Sequence, residues 1–246
     1  MKSSWIFLSP HLDDAVLSCG GMIYELTRTG HYVEVWTVFA GDPPAGSRPP
    51  FALSLEERWQ NGPQAVAARR LEDAAACAHI GASAVHFDLP DCIYRRLPDG
   101  QPLINSEDDL WQPIPEGEYP RVVELTSQLE TRLTENYQLA APLGMGGHID
   151  HRIVRAAVLR LKKQVHFYPD YPYAARPDAD ITGYLEPGWR RKRFSISPTA
   201  FLAWRAAIEL YPSQISSLWN NLEEMHKSLN TYFNSGGGRV LWTKPE

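Results

Sequence analysis

Short apolar runs alternate along this chain with longer stretches whose apolar residues recur at helical spacing. Residues 5–8 form a short apolar run and read as a buried strand. Residues 15–28 place Val16, Gly20, Ile23, Tyr24 and Thr27 on one helical face, with Gly30 as a stop. Residues 33–39 are β-branched and aromatic and predict a second strand. The same alternation predicts a helix over 64–80, a strand over 84–89, a helix over 122–134 and a strand over 138–143. Next come an amphipathic helix over 149–163 and a strand over 164–168. In that helix Ile153, Val154, Ala157, Val158 and Leu161 oppose Arg152, Arg155 and Lys162. Further on, the pattern predicts strands over 194–196 and 239–242, and helices over 198–211 and 214–233. Residues 41–58 are rich in Pro and Gly and read as a long loop, and 97–120 as a turn-rich segment. Strands alternating with helices imply an α/β, Rossmann-like three-layer fold with a mostly parallel sheet.

Length adds one constraint. At 246 residues the chain fits a single α/β domain, with its core over about 4–175 and a helical, short-strand segment over 176–246. The net charge of −5 argues against a nucleic-acid binder, which needs a basic face. No apolar stretch nears the ~20 residues of a membrane helix, and the first residues are too short an apolar run for a signal sequence. The three cysteines, Cys19, Cys77 and Cys92, are widely spaced with no CxxC, as befits a reducing compartment. These features predict a cytoplasmic protein without a membrane partner. They leave a homo-oligomer open.

Two polar clusters interrupt the pattern. Pro10-His11-Leu12-Asp13-Asp14 falls directly after the first strand and before the first helix, where open parallel sheets bind ligands. Imidazole and carboxylate within four residues suit zinc or another divalent transition ion. The spacing lets His11 and Asp14 point at one ion and leaves Asp13 for proton transfer. A plain helix cap accounts for one aspartate, but not for His11 or a second carboxylate. Gly146-Gly147-His148-Ile149-Asp150-His151 stands in the equivalent place after residues 138–143. His148 and His151 share one side of a helix start, and Asp150 between them suits the orienting of an imidazole. A polar helix start with two solvent histidines is the plainer alternative. Two histidines and one carboxylate, with water in the fourth position, make a catalytic zinc set.

The ordered pair of motifs resembles the PIG-L (LmbE-like) family of zinc-dependent N-deacetylases, which act on N-acetylglucosamine conjugates. Arg69-Arg70-Leu71-Glu72-Asp73, Asp88-Leu89-Pro90-Asp91-Cys92-Ile93-Tyr94-Arg95 and Tyr168-Pro169-Asp170-Tyr171-Pro172-Tyr173 resemble further family segments. The likeness spans about residues 4–175. Leu12 replaces the family's proline and Ala15 its glutamate, which the resemblance would place next to the pocket.

The resemblance implies zinc, or iron, on His11, Asp14 and His151. It implies Asp13 as general base, His148 as oxyanion stabiliser and Asp150 as the residue orienting a histidine. Arg70 and Asp91 match sugar-contacting positions, and Tyr173 is a candidate pocket hydroxyl. Arg70 could instead pair with Glu72 or Asp73, Asp91 could be a turn residue, and Tyr173 could be core. Trp59, Trp111, Trp189 and Trp204 are candidates for stacking on a sugar or for the core. The implied substrate is a small amino-sugar amide. The alternatives are a zinc amidase for a larger acyl group or thiol conjugate, and a binding protein without turnover. A nucleotide-binding domain is disfavoured, because Ser18-Cys19-Gly20-Gly21 lacks GxGxxG and paired aspartates repel pyrophosphate.

Overall fold

The computed structural model describes residues 3–59, 62–134 and 136–245. Its centre is a seven-stranded sheet: β1 (Ser4–Ser9), β2 (Tyr32–Thr37), β3 (Ser83–His86), β4 (Tyr137–Pro142), β5 (Val165–Tyr168), β6 (Arg190–Arg193) and β7 (Val240–Thr243). The order is β3-β2-β1-β4-β5-β7-β6. The five strands from β3 to β5 are parallel, and β7 pairs antiparallel with both β5 and β6. The α/β architecture predicted from the alternating pattern is therefore present, with the antiparallel pair at one edge. Strands β1 and β4 lie side by side, yet the chain leaves them in opposite directions along the sheet. This is the topological switch point, where a crevice opens at the carboxyl ends of the strands.

The helices are α1 (Asp14–Arg28), α2 (Pro50–Arg58), α3 (Ala65–His79), α4 (Tyr119–Arg132), α5 (Ile149–Val158), α6 (Pro198–Glu209), α7 (Pro212–Leu218) and α8 (Leu222–Asn234). Two apolar clusters cover the sheet. One holds Ile6, Leu8 and Leu139 with the apolar face of α5; the other holds Trp5, Phe7 and Val35 with that of α1. A third joins Leu17 of α1 to Trp204, Ile208 and Leu229 of the C-terminal helices. There Trp204 lies flat on α1: a Cβ on Gly20 would stand 2.3 Å from its Cδ1. Its indole Nε1 donates to the carbonyl of Val16 at 2.7 Å.

Four expectations need correction. The segment 41–58 is not all loop, because Pro50 opens helix α2. Proline at the first helical position has no hydrogen bond to lose, so a proline-rich stretch can conceal a helix start. The helix predicted over 149–163 stops at Val158, where Arg160 and Leu161 close tighter turns onto Ala157 and Val158 before β5. The strand expected over 194–196 is instead β6, made of four exposed basic residues. It is an edge strand, where charge replaces the alternating pattern and blocks further pairing. The helix expected over 214–233 divides at Trp219, and Asn221 caps α8 by accepting from the amide of Glu224.

Candidate active site

The crevice between β1 and β4 is lined by residues from distant segments. His11, Asp13 and Asp14 come from the loop after β1 and the start of α1. His148 and His151 open α5 after β4. Asp91 reaches in from the turn after β3, and Tyr173 from the loop after β5. The cavity is small, about 160 Å³, and Trp59, Trp111 and Leu218 help to wall it.

Asp14 stands between two imidazoles. Its Oδ2 lies 3.2 Å from Nδ1 of His11 and 3.3 Å from Nε2 of His151. Two donors on one tetrahedral zinc, with Zn–N and Zn–O bonds of 2.0–2.1 Å, stand about 3.3 Å apart. The ring nitrogens of His11, His148 and His151 also converge within 4.8 Å of one another. Each outer imidazole is held from behind. His11 turns Nε2 to Asp150 at 3.1 Å, and His151 turns Nδ1 to Asp170 at 2.7 Å. Both rings thereby keep their other nitrogen toward Asp14, the arrangement by which carboxylates orient metal-bound histidines. Asp150 is itself fixed by Arg95 at 2.6 Å and by the amide of Cys92 at 3.0 Å.

The electrostatics favour a cation. Burial opposes a charged His151, but Asp14 and Asp170 outweigh it and raise its pKa to about 9. The carboxylates Asp91, Asp14 and Asp150 likewise raise His11 against the effect of burial. The Asp14 carboxyl is held well below its usual range by His151 and His11, despite its burial. A divalent ion would supply the positive charge that protonated imidazoles supply otherwise. Donor types, spacing and backing carboxylates thus fit a divalent metal on His11, Asp14 and His151.

His148 differs from its neighbours. Its Nδ1 accepts from the backbone amide of Asp150 at 3.2 Å, which assigns the ring proton to Nε2. Burial, and then the charges of His11 and His151, push its pKa well below 6.5. It is a neutral imidazole carrying a donor. Asp13 occupies the N-cap position of α1, but its side chain makes no capping bond. Ser9 does that work, its Oγ accepting from the amide of Ala15 at 2.9 Å. The plain-cap alternative therefore does not describe Asp13. Burial, and then the charge of Asp14, push its pKa up to about 7. Arg69 lies 4.0 Å away.

The other sequence candidates are distributed unevenly. Asp91 lines the cleft and also accepts from the amide of Ile93 at 3.1 Å. Tyr173 packs its ring on His151 and Trp111, over a chain that only glycine permits. Gly146 has φ 81° and a Cβ there would stand 2.4 Å from that ring. Arg70 is not among the lining residues; it donates to the carbonyl of Ala40 and to Asp42. Its neighbour Arg69 lines the cleft instead, stacked 4.5 Å from the Trp59 ring. Glu72 and Asp73, the alternative partners for Arg70, instead bind Ser213 and Tyr211. Ala15 is fully buried in the cluster behind α1, so the family's missing glutamate leaves no gap in the cleft wall. Trp204 is core, and Trp189 packs on Phe167.

Sequence reasoning missed Arg69, Asp170 and Gln214. A carboxylate two residues past a strand's end was a usable sign for Asp170; nothing local marks Gln214. Of the other histidines, His31 meets Ser3, His86 meets Asp73, His166 meets Gln138 and Thr243, and His226 meets Glu209. The three cysteines are buried and unpaired. Among the described residues, no helix is long and apolar enough to cross a membrane.

A metal-ready cluster and a freed carboxylate at the switch point of a parallel sheet define a class of hydrolytic α/β enzymes. Residues 6–162 match the family described as PIG-L: GlcNAc-PI de-N-acetylase, and the chain belongs to that family. It is 31% identical to a 2'-N-acetylparomamine deacetylase of Niallia circulans, over 96% of this chain and 87% of that protein. Its fold is similar to the zinc-inhibited form of teicoplanin deacetylase Orf2, with TM-score 0.81 and 28% identity, covering 98% of this chain and 97% of that one. It is also similar to the A40926 pseudoaglycone deacetylase Dbv21, with TM-score 0.72 and 28% identity, covering 99% and 96%. All three relatives are named deacetylases, and the chain is an N-deacetylase of the same family.

Proposed function

We propose that this protein removes the N-acetyl group of an amino sugar carried on a larger natural-product scaffold, using a divalent metal, zinc first, on His11, Asp14 and His151. The single observation that carries this reading is the placement of Asp14 Oδ2 at 3.2 and 3.3 Å from two imidazole nitrogens. A divalent ion held by His11, Asp14 and His151 would supply Lewis-acid chemistry, bringing the pKa of a bound water from ~15.7 to ~7 and polarising the acyl carbonyl. Asp13, buried and free of capping duty, takes a proton from the attacking water and returns one to the amine nitrogen as the C–N bond breaks. Acetate and a free amine leave. The Nε2–H of His148 donates to the carbonyl oxygen as charge builds on it.

The cleft supports a short acyl group. Drug-sized ligands occupy sites of ~300–1,000 Å³, and this one offers about 160 Å³. On this reading it encloses an acetamide, and the rest of the molecule lies outside the cleft. Asp91 and Tyr173 are the candidate sugar contacts.

The test is amine release by zinc-loaded protein from 2'-N-acetylparomamine, N-acetylglucosamine conjugates and an N-decanoyl analogue. Turnover of acetyl but not decanoyl substrates is expected. Preference for the decanoyl amide would replace this reading with the larger-acyl amidase.

A further inference from the structure

A side chain of the C-terminal third reaches Asp13. Gln214 sits on α7, buried to 7% exposure, and its amide lies between Asp13 and Arg69. With the amide oriented so that both ends find partners, Nε2 donates to Asp13 Oδ2 at 3.2 Å. Oε1 then accepts from Arg69 Nε at 3.0 Å. The reverse orientation would set an oxygen against the carboxylate and an NH₂ against the guanidinium, so the network selects the first. Helix α7 is bolted to α3, the helix that carries Arg69. Tyr211 donates to Asp73 at 2.7 Å, and Ser213 donates to Glu72 at 2.5 Å.

We propose that Gln214 is a positioning residue for the catalytic base, holding the Asp13 carboxylate at the angle from which it meets the attacking water. The inference rests on the reading of Asp13 as that base. Its physical ground is that Asp13 lacks the restraint such a residue normally has. Its side chain does not cap α1, and Arg69 approaches only to 4.0 Å. A carboxylate with two free torsions loses efficiency quickly when it swings, because catalytic groups must be held within about 0.5 Å. The Gln214 bond removes that freedom and adds no charge. It also makes the active site depend on a segment outside the matched family region of residues 6–162.

The experiment compares wild type, Gln214→Leu, Gln214→Glu, Asp13→Asn and the Asp13→Asn/Gln214→Leu double variant as zinc-loaded proteins. Metal content, melting temperature, kcat and KM are measured on each. Gln214→Leu is expected to lower kcat about ten- to a hundredfold, as small misplacements of catalytic groups do. Its KM should stay within about twofold and its metal content should be unchanged. Gln214→Glu, of the same shape but without the donor, should lose kcat similarly; it keeps the test alive if the leucine variant does not fold. In the Asp13→Asn background the leucine change should cost nothing further, since the base that Gln214 positions is already gone. An unchanged kcat in both Gln214 variants overturns the proposal. So does a raised KM at constant kcat, which would make Gln214 a substrate contact, and so does an equal loss in the Asp13→Asn background. Absence of wild-type turnover on every acetylated amino sugar would instead overturn the deacetylase reading beneath it.

Discussion

On the side of the cleft formed by His11, Asp14 and His151, every donor comes from one of two short motifs, and each imidazole has a carboxylate behind it. On the side formed by Asp13, the supports are Arg69 from α3 and Gln214 from α7, residues 56 and 201 positions further along. The first side is rigid because of local chain geometry plus two buried carboxylates. The second is rigid only if distant helices stay docked. Charge follows the same division: the carboxylates drive His151 toward the cationic form, whereas burial drives Asp13 toward the neutral one. On the proposed reading these are an ion-holding half and a proton-handling half, and each can be damaged separately.

The largest expected effect breaks the first side. His151→Ala should abolish both bound metal and turnover, read as metal per chain and amine release on the same sample. Next, Asp13→Ala should keep the metal at the wild-type ratio and lower kcat by about 10²–10⁴, the usual weight of a general base. If Asp13→Ala also loses the metal, the two halves are not separate. Asp170→Asn tests the backing carboxylate: metal affinity should fall about 10–100-fold, measured by competition with a chelator. The smallest effect uses a buried histidine without carboxylates. Burial, and then Lys192, depress His166 to about 4, against ~6.5 in an unfolded chain. Between those values the unfolded chain binds a proton that the folded one does not, so this group's contribution to stability is lost as pH falls from 6.5 toward 4. His166→Gln should flatten that part of the acid-side decline in denaturant midpoint relative to wild type.

The two sides also differ in how far the sequence reveals them. The strand–loop–helix units carrying His11 to Asp14 and His148 to His151 are legible because apolar runs and helical spacing bracket each polar cluster. Arg69 and Arg70 are not separable that way: they are neighbours on α3 pointing about 100° apart, and only the packing of α2 and α7 decides which one faces the cleft. Asp170 stood inside a recognised segment, but its role depends on β5 ending beside α5. Gln214 is one glutamine in a polar stretch, and an amide carries no motif. The edge strand β6 lacked the alternation by which strands are read, because all four of its side chains are exposed.

The seat of Trp204 on Gly20 has a practical consequence for building chimeras. Helix α1 begins with Asp14 and the residue before it is Asp13, so the indole resting on Gly20 sits against the same rod that aims both carboxylates. A C-terminal segment borrowed from another family member, to change what the cleft accepts, must bring a side chain that fits a bare helix surface at that point. Conversely, an alanine at position 20 would lift the transplanted helix by forcing its indole away from Val16. The interchangeable part of this enzyme is thus not the tail alone but the tail together with Gly20.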